Sequence, residues 1–279
     1  MQLAILFWFY KDLELCGERV RLLRRLNPRT PIYGLYGGSP EPVDGLAAIQ
    51  AELDDLYVFP EPREAHWKWL NGDRLIAAWM RDRGGALPWD TVVIVQWDML
   101  VLGPVESVFA GLNPGEAVFS GFRPLDEVAA WWGWAGARDP EKRAMLDAFR
   151  SRLLADHAYA GPLWCALFIV VALPRAFLAR YAGAGTPEQG FLEYKMPTLA
   201  QLWGARVRTD LPFNPWWAAD PATKEAPERA RALNAVGREV PLSLIQSELA
   251  DPGGLRVFHP FSGPFPVDAL SSASAPRRA

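Results

Sequence analysis

Thr91-Val92-Val93-Ile94-Val95-Gln96-Trp97-Asp98-Met99-Leu100-Val101-Leu102-Gly103-Pro104 is the stretch on which the fold turns. Its first five residues are the purest β-branched run in the chain, and such side chains suit a pleated, buried strand. No polar residue alternates with them, so the strand is buried on both faces, as strands of parallel sheets are. A single carboxylate, Asp98, follows the strand. A charge buried there costs several kcal/mol unless it is paired or bound to a metal. Two readings follow: an aspartate bonding a neighbouring backbone amide or capping a helix, or one that holds a cation.

Working outward, residues 3–10 (LAILFWFY) form a second continuous apolar run of strand length. Residues 15–26 place Val20, Leu22, Leu23 and Leu26 near helical spacing with arginines between them, and Asn27-Pro28 ends the helix. Residues 31–36 (PIYGLY) read as strand, 47–53 as helix, 55–59 as a short strand closed by Pro60, and 71–83 as helix. This alternation predicts an α/β fold with an open, mostly parallel central sheet flanked by helices, whose ligands bind at the carboxyl ends of the strands. Beyond Gly103 the pattern loosens. Residues 117–120 read as strand and 139–157 as helix; 163–173 (LWCALFIVVAL) are a buried run of either type, and 199–207 a helix leading into a strand. No repeat or composition break divides the chain, so one compact domain over residues 1–270 is expected, with a frayed tail at 271–279 (SSASAPRRA).

Composition narrows the function. The chain has 279 residues, half of them hydrophobic, with a net charge of -3. That balance argues against a whole-chain nucleic-acid footprint. Two cysteines and three histidines leave no disulfide framework and no cysteine-based zinc site, so a metal here would be held mostly by oxygen, as magnesium or manganese is. The longest apolar run stops at Pro174, well short of the roughly 20 residues a bilayer needs. With no basic n-region ahead of residue 3, no signal peptide is read and a cytoplasmic protein is expected. Tryptophan is over-represented, with 13 copies, and indoles make platforms for sugar rings and bases as well as core.

The segment from Val92 to Pro104 resembles the core strand of GT-A-fold glycosyltransferases, in which a hydrophobic strand ends in an Asp-x-Asp motif that holds a divalent metal on a sugar-nucleotide diphosphate. Here Gln96 stands at the first position and Asp98 at the second. Gln96 brings a neutral oxygen for a metal or a ribose hydroxyl but no charge. A second segment, Val257-Phe258-His259-Pro260-Phe261-Ser262-Gly263, is similar to the His-x-x-Gly-x-x-Lys-Pro-Trp segment of glycogenin-like retaining transferases. Gly263 falls one residue late, and the lysine and tryptophan are absent. The resemblance implies that Asp98 and His259 converge on Mn2+ or Mg2+.

It further implies a nucleotide-binding half over residues 1–110 and an acceptor half over 111–270. The strand ending in Phe9, Tyr10, Lys11 and Asp12 would grip base and ribose, unless Asp12 is simply a helix cap. Gly37, Asp73, Arg74 and Trp97 are further nucleotide candidates. Gly37 reads equally as a turn and Asp73 as a helix start. On the acceptor side stand Ser120, Gly121, Trp132, Trp134 and Tyr194. Glu193 is an isolated acid between apolar neighbours, and burial would raise its pKa towards that of a useful base. Its bland alternative is an ion pair with Lys195 or with one of the arginines. The histidine leans towards retention of configuration and a Glu193 base towards inversion. The implied activity is transfer of a sugar from a nucleotide-diphosphate sugar to a small-molecule or glycan acceptor. A non-catalytic nucleotide- or glycan-binding relic is the alternative from another class. A nucleotidyltransferase ranks third, because FWFYKDLEL lacks a glycine-rich basic loop.

Overall fold

Because residues 3–9 and 91–96 carry no polar face, they sit side by side at the centre of a sheet rather than at its edge. The computed structural model describes residues 1–39, 43–136, 138–185, 188–217, 220–221 and 228–266. The first half runs β1 (Leu3–Phe9), α1 (Leu13–Leu26), β2 (Ile32–Tyr36), α2 (Leu46–Gln50), β3 (Asp55–Val58), α3 (Ala65–Leu70), α4 (Gly72–Asp82) and β4 (Thr91–Gln96). Then follow β5 (Leu100–Val101), α5 (Val105–Val108), β6 (Glu116–Phe119), β7 (Arg123–Pro124), α6 (Pro140–His157), β8 (Trp164–Cys165), β9 (Val171–Pro174) and α7 (Arg175–Gly183). The chain continues through α8 (Leu192–Leu202), β10 (Arg206–Arg208), α9 (Leu242–Ala250) and β11 (Val257–Phe258).

Seven strands form the main sheet in the order β10-β6-β9-β4-β1-β2-β3. All neighbours are parallel except β9, which runs antiparallel to both β4 and β6. This is the mostly parallel α/β sheet flanked by helices that the alternation predicts. Its seven strands and most of the helices share one hydrophobic core. The sheet draws on both halves of the chain. A smaller apolar cluster, including Leu22, Leu100, Ile245 and Phe258, packs beneath the β5–β11 pair.

Local chemistry accounts for the boundaries. Asp12 adopts a left-handed conformation (φ 48°) and caps α1, accepting from the Leu15 amide. Asp139 caps α6 from an extended conformation, accepting from the amides of Glu141 and Lys142 ahead of a first-turn proline. The apolar run 163–173 is not one element. It divides into β8, a turn, and β9, which enters the sheet from the end where its parallel neighbours finish, pairing Val171 with Ile94. Periodicity cannot reveal that reversal, because a strand buried on both faces reads the same in either direction. Helices α3, α7 and α9 and the two-residue strands β5 and β11 also escape the sequence reading. Residues 267–270 at the end of the expected domain and the 271–279 tail lie outside the described residues. No helix among the described residues is long and apolar enough to cross a membrane.

A fully buried ion pair ties three helices together. Lys195 Nζ of α8 lies 2.9 Å from Asp73 Oδ2 of α4, both side chains are wholly inaccessible, and the Tyr181 hydroxyl of α7 donates to the same oxygen. Removing one partner of such a pair strands a charge in the core. Lys195→Met is therefore expected to lower the unfolding free energy by about 3–5 kcal/mol, measured by urea denaturation. The Asp73→Asn/Lys195→Met double variant should lose less than Lys195→Met alone.

Candidate functional site

The carboxyl ends of β1 and β4 open on a cavity of about 250 Å3. Parallel pairing places Trp8 beside Gln96, so the residues that follow each strand, Tyr10 and Asp98, emerge at the same end of the sheet. Both line the cavity, together with Gln96, Glu193, His259 and Trp132. The reversed entry of β9 brings Leu167, Phe168 and Ile169 to the same place. Among its described lining residues there are two carboxylates and no lysine or arginine.

Asp98 and His259 come together through backbone pairing. Leu100 and Val101 of β5 pair antiparallel with Phe258 and Val257 of β11, and the Phe261 amide donates to the Asp98 carbonyl at 2.8 Å. The imidazole is fixed from its other side. His259 Nδ1 lies 2.7 Å from the Asn234 carbonyl oxygen, which can only accept, so Nδ1 carries the proton. In the neutral ring Nε2 is then a lone pair, and it stands 3.6 Å from Asp98 Oδ2. The other carboxylate oxygen, Oδ1, is buried with no hydrogen-bond partner among the described residues. With the ring protonated this contact is a His259–Asp98 ion pair; with it neutral, the Nε2 lone pair and the carboxylate are two donors of the kind a divalent metal takes. No group of three or more His, Cys, Asp or Glu side chains able to hold a metal occurs among the described residues. Gln96 is the neutral neighbour: its amide nitrogen donates to the Phe168 carbonyl, leaving Oε1 without a partner among the described residues.

Glu193 owes its place to a proline. Pro197 lies inside α8 and has no N–H to give to the carbonyl four residues earlier, which is that of Glu193. The Ala166 amide takes that carbonyl at 2.9 Å, and the Phe168 amide donates to Glu193 Oε1 at 2.6 Å. The helix start and the 166–168 loop are thus locked to one another at the cavity wall. Burial pushes the Glu193 carboxyl up from the usual carboxylate range to about 8, against the opposing effect of the Phe168 amide. The alternative of an ion pair with Lys195 or an arginine is not found among the described residues: Lys195 pairs with Asp73, and the Glu193 carboxylate accepts from the Phe168 amide.

Several expected site residues do not reach the cavity. Phe9 is fully buried against Phe7 and Tyr36, so it cannot touch a nucleotide. Asp73 is inaccessible and held by Lys195 and Tyr181. Arg74 is paired with Glu188 and lies over the Trp67 ring. Gly37 is buried at the end of β2, where a Cβ would sit 2.9 Å from Leu75, so its small size serves packing on α4. Ser120 is buried, donating to the Leu167 carbonyl and accepting from the Val170 amide. Gly121 lines a separate small crevice beside Phe122 and Arg208. Tyr194 is buried against Phe149 and Phe191. Asp12 serves as the α1 cap. Trp97 is buried, with Lys11 Nζ 4.2 Å from its ring centroid and Tyr10 at its edge.

The sequence reading missed Trp8, Trp69, Phe191 and the 167–169 turn as cavity walls. Trp8 carried a signal, since it stands two residues from Tyr10 and side chains alternate along a strand. Trp69 carried none, because α3 shows no apolar periodicity long enough to place it.

The elevated Glu193 carboxyl has a thermodynamic signature. Between about pH 4.5 and about 8 the folded state holds a proton that the unfolded state releases, so stability falls as pH rises through that window. Glu193→Gln is expected to flatten this part of the stability–pH curve, measured by chemical denaturation across the range. An unchanged slope would remove the raised pKa.

No protein-family model matches the chain, and no curated protein sequence does. Among solved structures it is similar to the apo-form glycosyltransferase GlyE of Streptococcus pneumoniae TIGR4, at 13% identity and a TM-score of 0.38. That alignment covers 75% of this chain, and the chain spans 46% of the solved one. A likeness at that level carries no argument about activity, and the architecture rests on the strand order itself.

Proposed function

We propose that the protein is a glycosyltransferase of GT-A type, moving a sugar from a nucleotide-diphosphate sugar to a hydroxyl acceptor. The observation that carries this reading is the meeting of Asp98 and His259, far apart in the sequence, in a cavity at the carboxyl ends of parallel strands. Ligands of open α/β sheets bind at that edge. Asp98 and His259 would hold Mn2+ or Mg2+, which supplies charge to offset the developing negative charge of the leaving diphosphate. Tyr10 is half-buried at the end of β1 and offers a ring for the base. Lys11, beside it, is the nearby cation of this edge, resting on Trp97. Gln96 Oε1 is an acceptor for a ribose hydroxyl.

Glu193 supplies the base. As the acceptor oxygen attacks the anomeric carbon, its proton passes to the Glu193 carboxylate and the nucleotide diphosphate departs with the electrons of the broken glycosidic bond. A carboxyl titrating near neutrality is matched to that task, because basicity and availability of the ionised form balance there. Glu193→Gln should lower turnover about a hundredfold or more while leaving nucleotide affinity intact. Loss of nucleotide binding instead would move Glu193 out of the acceptor side.

With one carboxylate and one imidazole, the metal should bind weakly alone and tightly once phosphate oxygens complete its shell. Calorimetry is expected to show Mn2+ affinity rising at least tenfold when UDP or GDP is present. Asp98→Ala should abolish that coupling without unfolding the chain, since the residue follows β4 rather than filling the core. Equal Mn2+ affinity with and without diphosphate would sink the metal part of the proposal. Coupled binding with no donor turnover by any sugar nucleotide would favour the non-catalytic relic.

A further inference from the structure

Ser120 is a polar residue only 1% exposed, and all its hydrogen-bonding groups are engaged with one turn, residues 166–170, which joins β8 to β9. The Leu167 amide donates to the Ser120 carbonyl at 2.9 Å, and the Ser120 amide to the Val170 carbonyl at 3.0 Å. Ser120 Oγ lies 2.7 Å from the Leu167 carbonyl oxygen, which can only accept, so the hydroxyl proton points there. The same Oγ accepts from the Val170 amide at 3.2 Å.

The Leu167 carbonyl and the Phe168 amide belong to one peptide unit, which is planar and rigid. Holding its carbonyl on one edge therefore aims its N–H on the other, and that N–H donates to Glu193 Oε1 at 2.6 Å. Three dipoles run head to tail: the Val170 amide to the Ser120 hydroxyl, the hydroxyl to the Leu167 carbonyl, and the Phe168 amide to Glu193. Aligned bonds polarise one another. Their positive end meets the carboxylate and favours its ionised form. The next peptide unit is gripped separately, because Gln96 Nε2 donates to the Phe168 carbonyl. Phe168 is thus held on both sides of its α-carbon.

The other titratable groups around Glu193 are the Cys165 thiol of β8, which burial keeps protonated, and Tyr10, Asp98 and His259 on the cavity wall. Lys195, on its own helix, pairs with Asp73. Among the described residues the Phe168 amide makes the one hydrogen bond to the Glu193 carboxylate, and it opposes the effect of burial. Oε1 is occupied by that bond and Oε2 has no partner among the described residues.

We propose, resting on the transferase reading in which Glu193 is the base, that Ser120 is its positioning residue: through the Leu167–Phe168 peptide the buried hydroxyl aims an amide at Oε1 and leaves Oε2 to receive the acceptor's proton.

The test uses the full chain with 13C-carboxyl-labelled glutamate, titrated by infrared spectroscopy without nucleotide or metal, with the Glu193→Gln spectrum identifying the Glu193 band. Ser120→Ala is expected to move the Glu193 midpoint upward by about 0.5 pH or more, because a misaimed amide favours the ionised form less. Ser120→Thr, which restores a hydroxyl, should return it towards that of the unsubstituted chain. Gln96→Met frees the Phe168 carbonyl and should also raise the midpoint; it carries the test if Ser120→Ala does not fold. Turnover should follow the titration. It is expected to fall about threefold at pH 7 for a move of about 0.5. The deficit should close above about pH 9.5, where Glu193 is ionised in every variant. A midpoint that stays or falls, or turnover lost equally at every pH as a merely structural defect would give, overturns the proposal. A midpoint that rises in a chain that turns over no sugar nucleotide leaves the Ser120–Glu193 link standing and removes the transferase reading. Turnover with an unmoved midpoint does the reverse.

Discussion

Two residues of antiparallel pairing, Leu100 and Val101 against Phe258 and Val257, hold the site together. Without that short ladder, Asp98 and His259 belong to segments with no reason to meet. Joining chain so distant costs less than intuition suggests, because closure entropy grows only with the logarithm of loop length, by about 0.6 kcal/mol per doubling. Burial supplies the compensation: Leu100 and Phe258 are both fully inaccessible and pack with Leu22 of α1 and Ile245 of α9. The Arg19 guanidinium reinforces the join from beneath, donating to the carbonyls of Phe261 at 2.9 Å and Gly263 at 2.6 Å. A small satellite core therefore sets the separation of two polar side chains above it.

The His259 side of the site is fixed by a second device. Asn234 is fully buried, and its amide group donates to the carbonyls of Arg231 and Arg238 while its side-chain oxygen accepts from the amides of Val236 and Arg238. That network folds residues 231–238 into a rigid loop whose Asn234 carbonyl meets His259 Nδ1. An outer partner that fixes the tautomer of a ligating histidine tunes the group it presents to a metal. The Glu193 side is organised differently, by the missing N–H of Pro197 and by the buried Asp73–Lys195 pair two residues along α8. Backbone constraints dominate on both sides, which suits a site that must place a few polar groups accurately in an aromatic wall.

Much of this was legible in the amino-acid sequence, and the boundary between what was and was not has a physical origin. The buried strands at 3–9 and 91–96 announce themselves by continuous β-branched and aromatic residues, and the position of Asp98 and Tyr10 at their ends follows from parallel geometry. His259 was legible only by resemblance, because a two-residue strand such as β11 leaves no periodic trace. Asp73, Ser120 and Tyr194 misled because polarity near a strand end or helix start does not say which way a side chain faces. Asp73 turned inward to a lysine from a helix more than a hundred residues away, and Ser120 satisfied the backbone of the β8–β9 turn. Such long-range pairings are settled by tertiary packing, which single-sequence patterns do not encode.

On the proposed reading, the Nε2 lone pair of His259 and the carboxylate of Asp98 would hold one divalent cation together. Pulsed electron paramagnetic resonance on Mn2+ bound to protein labelled with 15N-histidine, in the presence of UDP, tests it directly. A hyperfine coupling from a single imidazole nitrogen is expected, one that disappears in His259→Ala and persists in His66→Ala and His157→Ala. Bound Mn2+ with no histidine coupling, or a coupling that survives loss of His259, would contradict it.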